Sequence, residues 1–174
     1  MKQKLLFFLM LLFPMLANAS SKTINVATPG TLPSLITAAE RYQIEELTLT
    51  GNLNGTDFRV IREMAGNDYL GQATAGSLKI LDLSGANIVA GGENYLETNE
   101  IRHSSGSTIG TGGSYSTANN NLGSYIFAGC DKLESILLPN SITSQYSLHQ
   151  KEVMPSLRAL HLFLVVILLL YPKA

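Results

Sequence analysis

The sequence predicts a short α/β solenoid of parallel strands, and three observations predict it. Residues Phe127, Cys130, Leu133, Ile136, Leu138 and Pro139 stand in phase, with small or polar residues between them. Leu78, Leu81 and Leu83, followed by Ala86 and Ile88, give the same frame earlier in the chain. Ile44, Leu47 and Leu49, followed by Leu53, give it a third time. The shared frame, L-x-x-L-x-L, is the strand core of a leucine-rich repeat. One such unit cannot bury its own apolar residues, so stacking on a neighbour is expected.

The elements follow in order along the chain. Lys2 and Lys4 precede an apolar run from Leu5 to Leu16, and Ala17-Asn18-Ala19 supplies a small-x-small cleavage site. This is the pattern of a secretory signal peptide, residues 1–19, with a mature chain starting at Ser20. The apolar run is short for a membrane span. Ile24 and Val26 alternate as in a strand, and Pro29-Gly30 is a turn. Thr31 is placed to cap a helix with Pro33 in its first turn. Leu32, Leu35, Ile36 and Ala39 mark one helical face, so a helix from about Leu32 to Tyr42 is expected to cap the first rung.

The first repeat strand is expected over Ile44–Thr50, with a turn at Asn54-Gly55. Asp57 reads as the N-cap of a helix that buries Phe58, Ile61 and Met64, ends at Gly66, and turns Arg59, Arg62 and Glu63 to solvent. The second strand is expected over Leu78–Ser84, ahead of a turn at Gly91-Gly92. Residues 102–123 carry mostly Ser, Thr, Gly and Asn. The interval from Leu81 to Ile136 is much longer than that from Leu47 to Leu81, so this stretch reads as a polar insertion looping out. A mobile excursion and a binding loop both fit it. A tight turn over Tyr125–Cys130 and a third strand over Leu133–Leu138 follow. The expected organisation is therefore 1–19 signal peptide, 20–77 N-terminal cap and first repeat, 78–144 repeats with the insertion, and 145–174 non-repeat tail.

The run Phe127-x-x-Cys130-x-x-Leu133-x-x-Ile136-x-Leu138-Pro139-x-x-Ile142 resembles the repeat of the BspA-like leucine-rich-repeat surface proteins of bacteria. The segments from Leu78 to Ile88 and from Leu49 to Asp57 are similar to the opening rungs of such proteins. The resemblance runs from Lys22 to Ser144. It implies a solenoid with a parallel sheet on its concave side, and adhesion or binding of proteins and glycans at the cell surface. The chain departs from the pattern after Ser144, where the phase is lost. An apolar block from Leu162 to Tyr171 then precedes Pro172-Lys173-Ala174. Three readings of the tail stay open, in this order: a frame shift or truncated gene, a cap on the last rung, and a membrane-associating segment. The last is disfavoured because Leu157–Tyr171 is short for a span and contains Arg158 and His161.

Composition narrows the function classes. The chain has 174 residues, 14% of them charged, and a formal net charge of −1. Nucleic-acid binding, which needs a basic patch, is not expected. Cys130 is the single cysteine, so no intramolecular disulfide can form. Its phase with Phe127 and Leu133 suggests a small buried hydrophobe. No Gly-x-Ser-x-Gly elbow, His-Glu-x-x-His motif or phosphate loop occurs. His103, His149 and His161 lack ligand-like spacing. No catalytic residue, cofactor or metal is expected. Asn54-Gly55-Thr56 matches a glycosylation acceptor, though a turn explains it better.

In the strand frame the leucines point inward and their neighbours outward. The candidate binding face is therefore Glu46, Thr48 and Thr50, then Ile80, Asp82 and Ser84, then Ser135 and Leu137. The leading reading is a secreted or cell-surface module that binds an extracellular protein or glycan without turnover. The alternatives are a truncated remnant of a longer adhesin with no independent function, and a hydrolase using the polar insertion. Membrane contact through the tail is not favoured.

Overall fold

The computed structural model describes residues 20–102 and 108–142. The expected signal peptide, His103 and the tail from residue 145 lie outside the described residues. Strand β1 runs Ser20–Val26, β2 Ile44–Leu53, β3 Ile80–Ile88 and β6 Ser135–Leu137. These four make one parallel sheet in the order β1-β2-β3-β6. Strands β4, Leu96–Arg102, and β5, Thr108–Tyr115, form a separate antiparallel pair. Helices α1, Leu32–Leu35, and α2, Ala38–Arg41, lie between β1 and β2, and α3, Gly55–Met64, lies between β2 and β3.

This architecture corrects the solenoid expectation. A solenoid repeats one unit, whereas here the three connections between parallel strands are unlike one another. Residues 27–43 hold two short helices, residues 54–79 one longer helix, and residues 89–134 an antiparallel pair and, among their described residues, no helix. The result is a four-stranded parallel sheet plus a two-stranded antiparallel sheet. The apolar frames nevertheless align as cross-strand neighbours: Leu47 lies opposite Leu81, and Leu81 opposite Ile136.

Alternation in the strands sorts the side chains into two faces. Ile24, Val26, Leu47, Leu49, Leu53, Leu81, Leu83 and Ile136 are buried on the inner face. A register shift lies between Thr48 and Thr50 on β2, opposite Leu83-Ser84 on β3. Beyond it Ala86 and Ile88 take over the buried positions. Burying one such Leu or Ile contributes about 1.5–3 kcal/mol, so the inner face dominates stability. Phe58, Ile61 and Met64 of α3 complete this core, with Phe58 edge-on to Phe127 at 6.3 Å between centroids. Cys130 is buried in the same core.

Several local expectations change. The helix expected over Leu32–Tyr42 is two four-residue pieces, because Ile36 is extended. Thr37 then caps α2 in a reciprocal box with Glu40. The cap of α3 is Asn54, not Asp57, and Gly55 opens the helix. Asp57 sits one turn in, fully buried, where its carboxylate accepts from the backbone N–H groups of Gly30 (2.7 Å), Leu32 (2.9 Å) and Asn54 (2.9 Å). One side chain thus ties the β1–α1 turn to the start of α3. Strand β2 extends to Leu53, β3 begins at Ile80 rather than Leu78, and β6 is only Ser135–Leu137.

The described part of the polar stretch, residues 108–123, is a strand and turns rather than a bare loop. Tyr95, Leu96 and Ile101 are buried, and they anchor β4 to the core. The Gly- and Thr-rich β5 pairs with it through backbone hydrogen bonds, which need no large side chains. A Cβ on Gly112 would fall 1.9 Å from the Thr98 carbonyl oxygen, so a side chain there would clash with the partner strand. Beyond β5, Thr117 donates to the Val89 carbonyl (2.8 Å), Asn120 N–H to Ile88 O (2.9 Å), and Leu122 is buried.

Arg62 is the largest departure from expectation. It was assigned to solvent but has 0% exposure. Its guanidinium donates to the carbonyl oxygens of Ile126 (2.8 Å), Ala128 (3.0 Å) and Asp68 (3.1 Å), and to Asn67 Oδ1. Arg59 is half-buried, stacks on Tyr69 at 4.0 Å and donates to Asn94 O at 2.6 Å.

Candidate binding face

Alternation places all eight predicted residues on the outer face of the parallel sheet, and none is buried. The register sets them in rows. Ser21, Glu46, Ile80 and Ser135 are successive cross-strand neighbours, and Thr23, Thr48, Asp82 and Leu137 form the next row. Thr50 faces Asn25 on one side, where its hydroxyl donates to Asn25 Oδ1 at 3.2 Å, and Gly85 on the other. Ser84 is exposed at the register shift, just outside these rows.

Sequence reasoning missed the β1 share of this face. Ser21, Thr23 and Asn25 are exposed and continue the rows by one strand. The alternation of Ile24 and Val26 already implied outward neighbours at these positions. The Asn52–Asn87 pair, with Nδ2 donating to Oδ1 at 3.3 Å, was also missed, because it depends on the register shift.

The face combines two chemistries. Ile80 and Leu137 are 38% and 45% exposed, the two large apolar side chains in these rows. Glu46 and Asp82 are its charged side chains, and both are acidic. The Asp82 carboxyl is held below its ordinary range by hydrogen bonds from Ser84, whose backbone N–H donates to Oδ1 at 2.8 Å. Lys79 lies at the margin, where its ammonium pairs with Glu45 at 2.6 Å.

A second concavity lies between the antiparallel pair and the loop after α3. This cleft holds about 1120 Å³ and is walled by Asn67, Leu70, Gln72, Thr98, Glu100 and Ser114. Buried Arg62 reaches its floor but is committed to carbonyl oxygens. Glu97 on its wall is engaged by Arg59 and Asn94. Among the described residues there is no cluster of three or more His, Cys, Asp or Glu suited to a metal ion. Among them, too, no helix is long and apolar enough to cross a membrane. No protein-family model and no curated protein matches the chain.

Proposed function

We propose that the chain is an exported, non-catalytic binding module that engages an extracellular protein or glycan through the outer face of its parallel sheet. The observation that carries this reading is the asymmetry of that sheet. All-parallel sheets are ordinarily covered on both faces. Here the inner face is sealed by α3 and the core, while among the described residues nothing covers the outer face, which carries polar side chains and two exposed apolar ones. The resemblance to BspA-like surface proteins supports the binding class. Export is supported by the sequence alone: Lys2 and Lys4, the apolar run from Leu5 to Leu16, and the small-x-small site Ala17-Asn18-Ala19.

The test uses a photo-crosslinking amino acid at Thr48 in the full chain, expressed with its leader and exposed to intact cells and extracellular matrix. An adduct that disappears when Leu137→Arg is added supports the outer face. An adduct that persists unchanged, or arises equally from a crosslinker at Leu35, refutes it. N-terminal sequencing of the exported chain checks the leader, with Ser20 as the expected first residue.

A further inference from the structure

The two rows of the outer face carry a pattern that neither row shows alone. Glu46 lies opposite Ile80, and two residues further along each strand Thr48 lies opposite Asp82. The acids therefore fall on a diagonal from Glu46 on β2 to Asp82 on β3. The exposed apolar side chains fall on a second diagonal, from Ile80 on β3 to Leu137 on β6. The diagonals are parallel and one strand apart, about 4.8 Å. Within each, the step of one strand across and two residues along is about 8 Å. An acidic stripe thus runs beside an apolar stripe.

Resting on the binding role proposed above, we infer that the partner is a protein segment with basic side chains along one side and apolar side chains along the other, docked over these two stripes. Charge complementarity carries the choice. The rows hold two carboxylates and no Lys or Arg pointing outward, so a cationic partner is attracted and an anionic one repelled. Hydrogen bonding from Ser84 favours the ionised form of the Asp82 carboxyl. The apolar stripe gives the partner's aliphatic side chains a place to leave water. An amphipathic helix can present such a pair of columns: its i and i+4 side chains are about 6 Å apart, flexible Lys side chains can splay to the wider step of the stripe, and the neighbouring column can be apolar. Four strands span only about 14 Å, so the contact is smaller than the ~800 Å² per partner of stable complexes. A weak, transient contact is expected.

The experiment measures fluorescence anisotropy of three labelled probes against the purified full chain. The probes are a synthetic helical peptide with a Lys column beside a Leu column, the same peptide with Glu for Lys, and a neutral maltooligosaccharide. The Lys/Leu peptide is expected to bind at least tenfold tighter than the Glu/Leu peptide, and to weaken as salt shortens the range of the field. Glu46→Gln with Asp82→Asn should weaken it about tenfold, and Leu137→Ser should weaken it with little change in salt dependence. Matching circular dichroism melts establish that these exposed substitutions leave the fold intact. Equal binding of both peptides, or no effect of the double neutral variant, overturns the partner assignment. If the Glu/Leu peptide or the sugar binds instead and Thr48→Arg with Leu137→Arg abolishes it, the partner class is wrong and the binding face stands. If no probe responds to any substitution on the face, both fall.

Discussion

Replacing Arg62 with Met should be the most damaging conservative-volume change among the charged residues. The guanidinium is fully buried and joins three otherwise separate segments: α3, the loop at Asn67–Asp68, and the turn at Ile126–Ala128. Its removal leaves three carbonyl oxygens and one amide oxygen without that donor. A buried acceptor left unsatisfied costs about 1–3 kcal/mol, so the gross loss over these four is at most roughly 4–12 kcal/mol, and less because Asp68 O keeps the Gly71 N–H. Releasing a buried charge from its desolvation penalty returns several kcal/mol. The net expectation is about 3–5 kcal/mol, a large part of the ~5–15 kcal/mol that holds a typical domain together. Urea unfolding followed by circular dichroism measures it. With a slope near ~2 kcal/mol per molar, the midpoint should fall by about 2 M. Arg62→Lys should recover less than half of this, because an ammonium lacks the planar fork that reaches several acceptors at once. A midpoint shift below about 0.5 M for Arg62→Met would refute the claim that this side chain fastens the three segments.

Two further outcomes follow from the core. Gly51→Ala should destabilise by at least ~2 kcal/mol, because residue 51 has φ +87° and a Cβ there would lie 2.3 Å from the Val26 carbonyl oxygen. Chemical denaturation checks this, and a neutral effect would mean that β1 can move away from β2. Burial pushes the Cys130 thiol from 9.0 up to about 11. The folded form then holds its proton more tightly than the unfolded chain. The resulting contribution to stability is complete below about pH 9 and is lost as pH climbs towards about 11. The difference in melting temperature between the parent chain and Cys130→Ala should therefore shrink across that window. Iodoacetamide at pH 8 should label Cys130 only in denaturant, and rapid native labelling would place the thiol at the surface.

How much was legible in the sequence depended on what kind of signal carried each feature. Period-two alternation carries the sheet: the frame that aligns Leu47, Leu81 and Ile136 in the sequence is the register of the strands, and it also aligns the outward neighbours Thr48, Asp82 and Leu137. The error was to extend a shared strand frame to a shared repeat. The strand motif says nothing about its connection, and the connections differ. Polar composition was read as a loop at residues 102–123 because β5 has almost no apolar side chains; its pairing rests on backbone groups that every sequence possesses. Arg62 was assigned to solvent because helical periodicity gives a direction and not an environment. Two of the carbonyl oxygens that receive it, those of Ile126 and Ala128, come from residues more than sixty positions away, and no local pattern announces them.

These features converge on β6. Only three residues long, it pairs with β3 over Ile80–Asp82 and yet positions Leu137, half of the apolar stripe. Its approach is fixed on the inner side. The Lys132 N–H donates to Ala65 O at 3.3 Å, and the Glu134 and Ser135 N–H groups donate to Lys79 O at 2.8 Å and 3.0 Å. Just upstream, the turn that delivers the chain to Cys130 is clasped by Arg62. Loosening that clasp should therefore be felt on the opposite face of the sheet. In Arg62→Met, amide exchange should accelerate first at Ala128–Ile136, before the β1–β2 pair responds, since local openings draw on the least-supported segment. Binding of the Lys/Leu peptide should weaken in step, although residue 62 lies on the inner side of the sheet. Uniform acceleration across all four strands would show instead that the sheet opens as one unit, and that β6 owes nothing particular to Arg62.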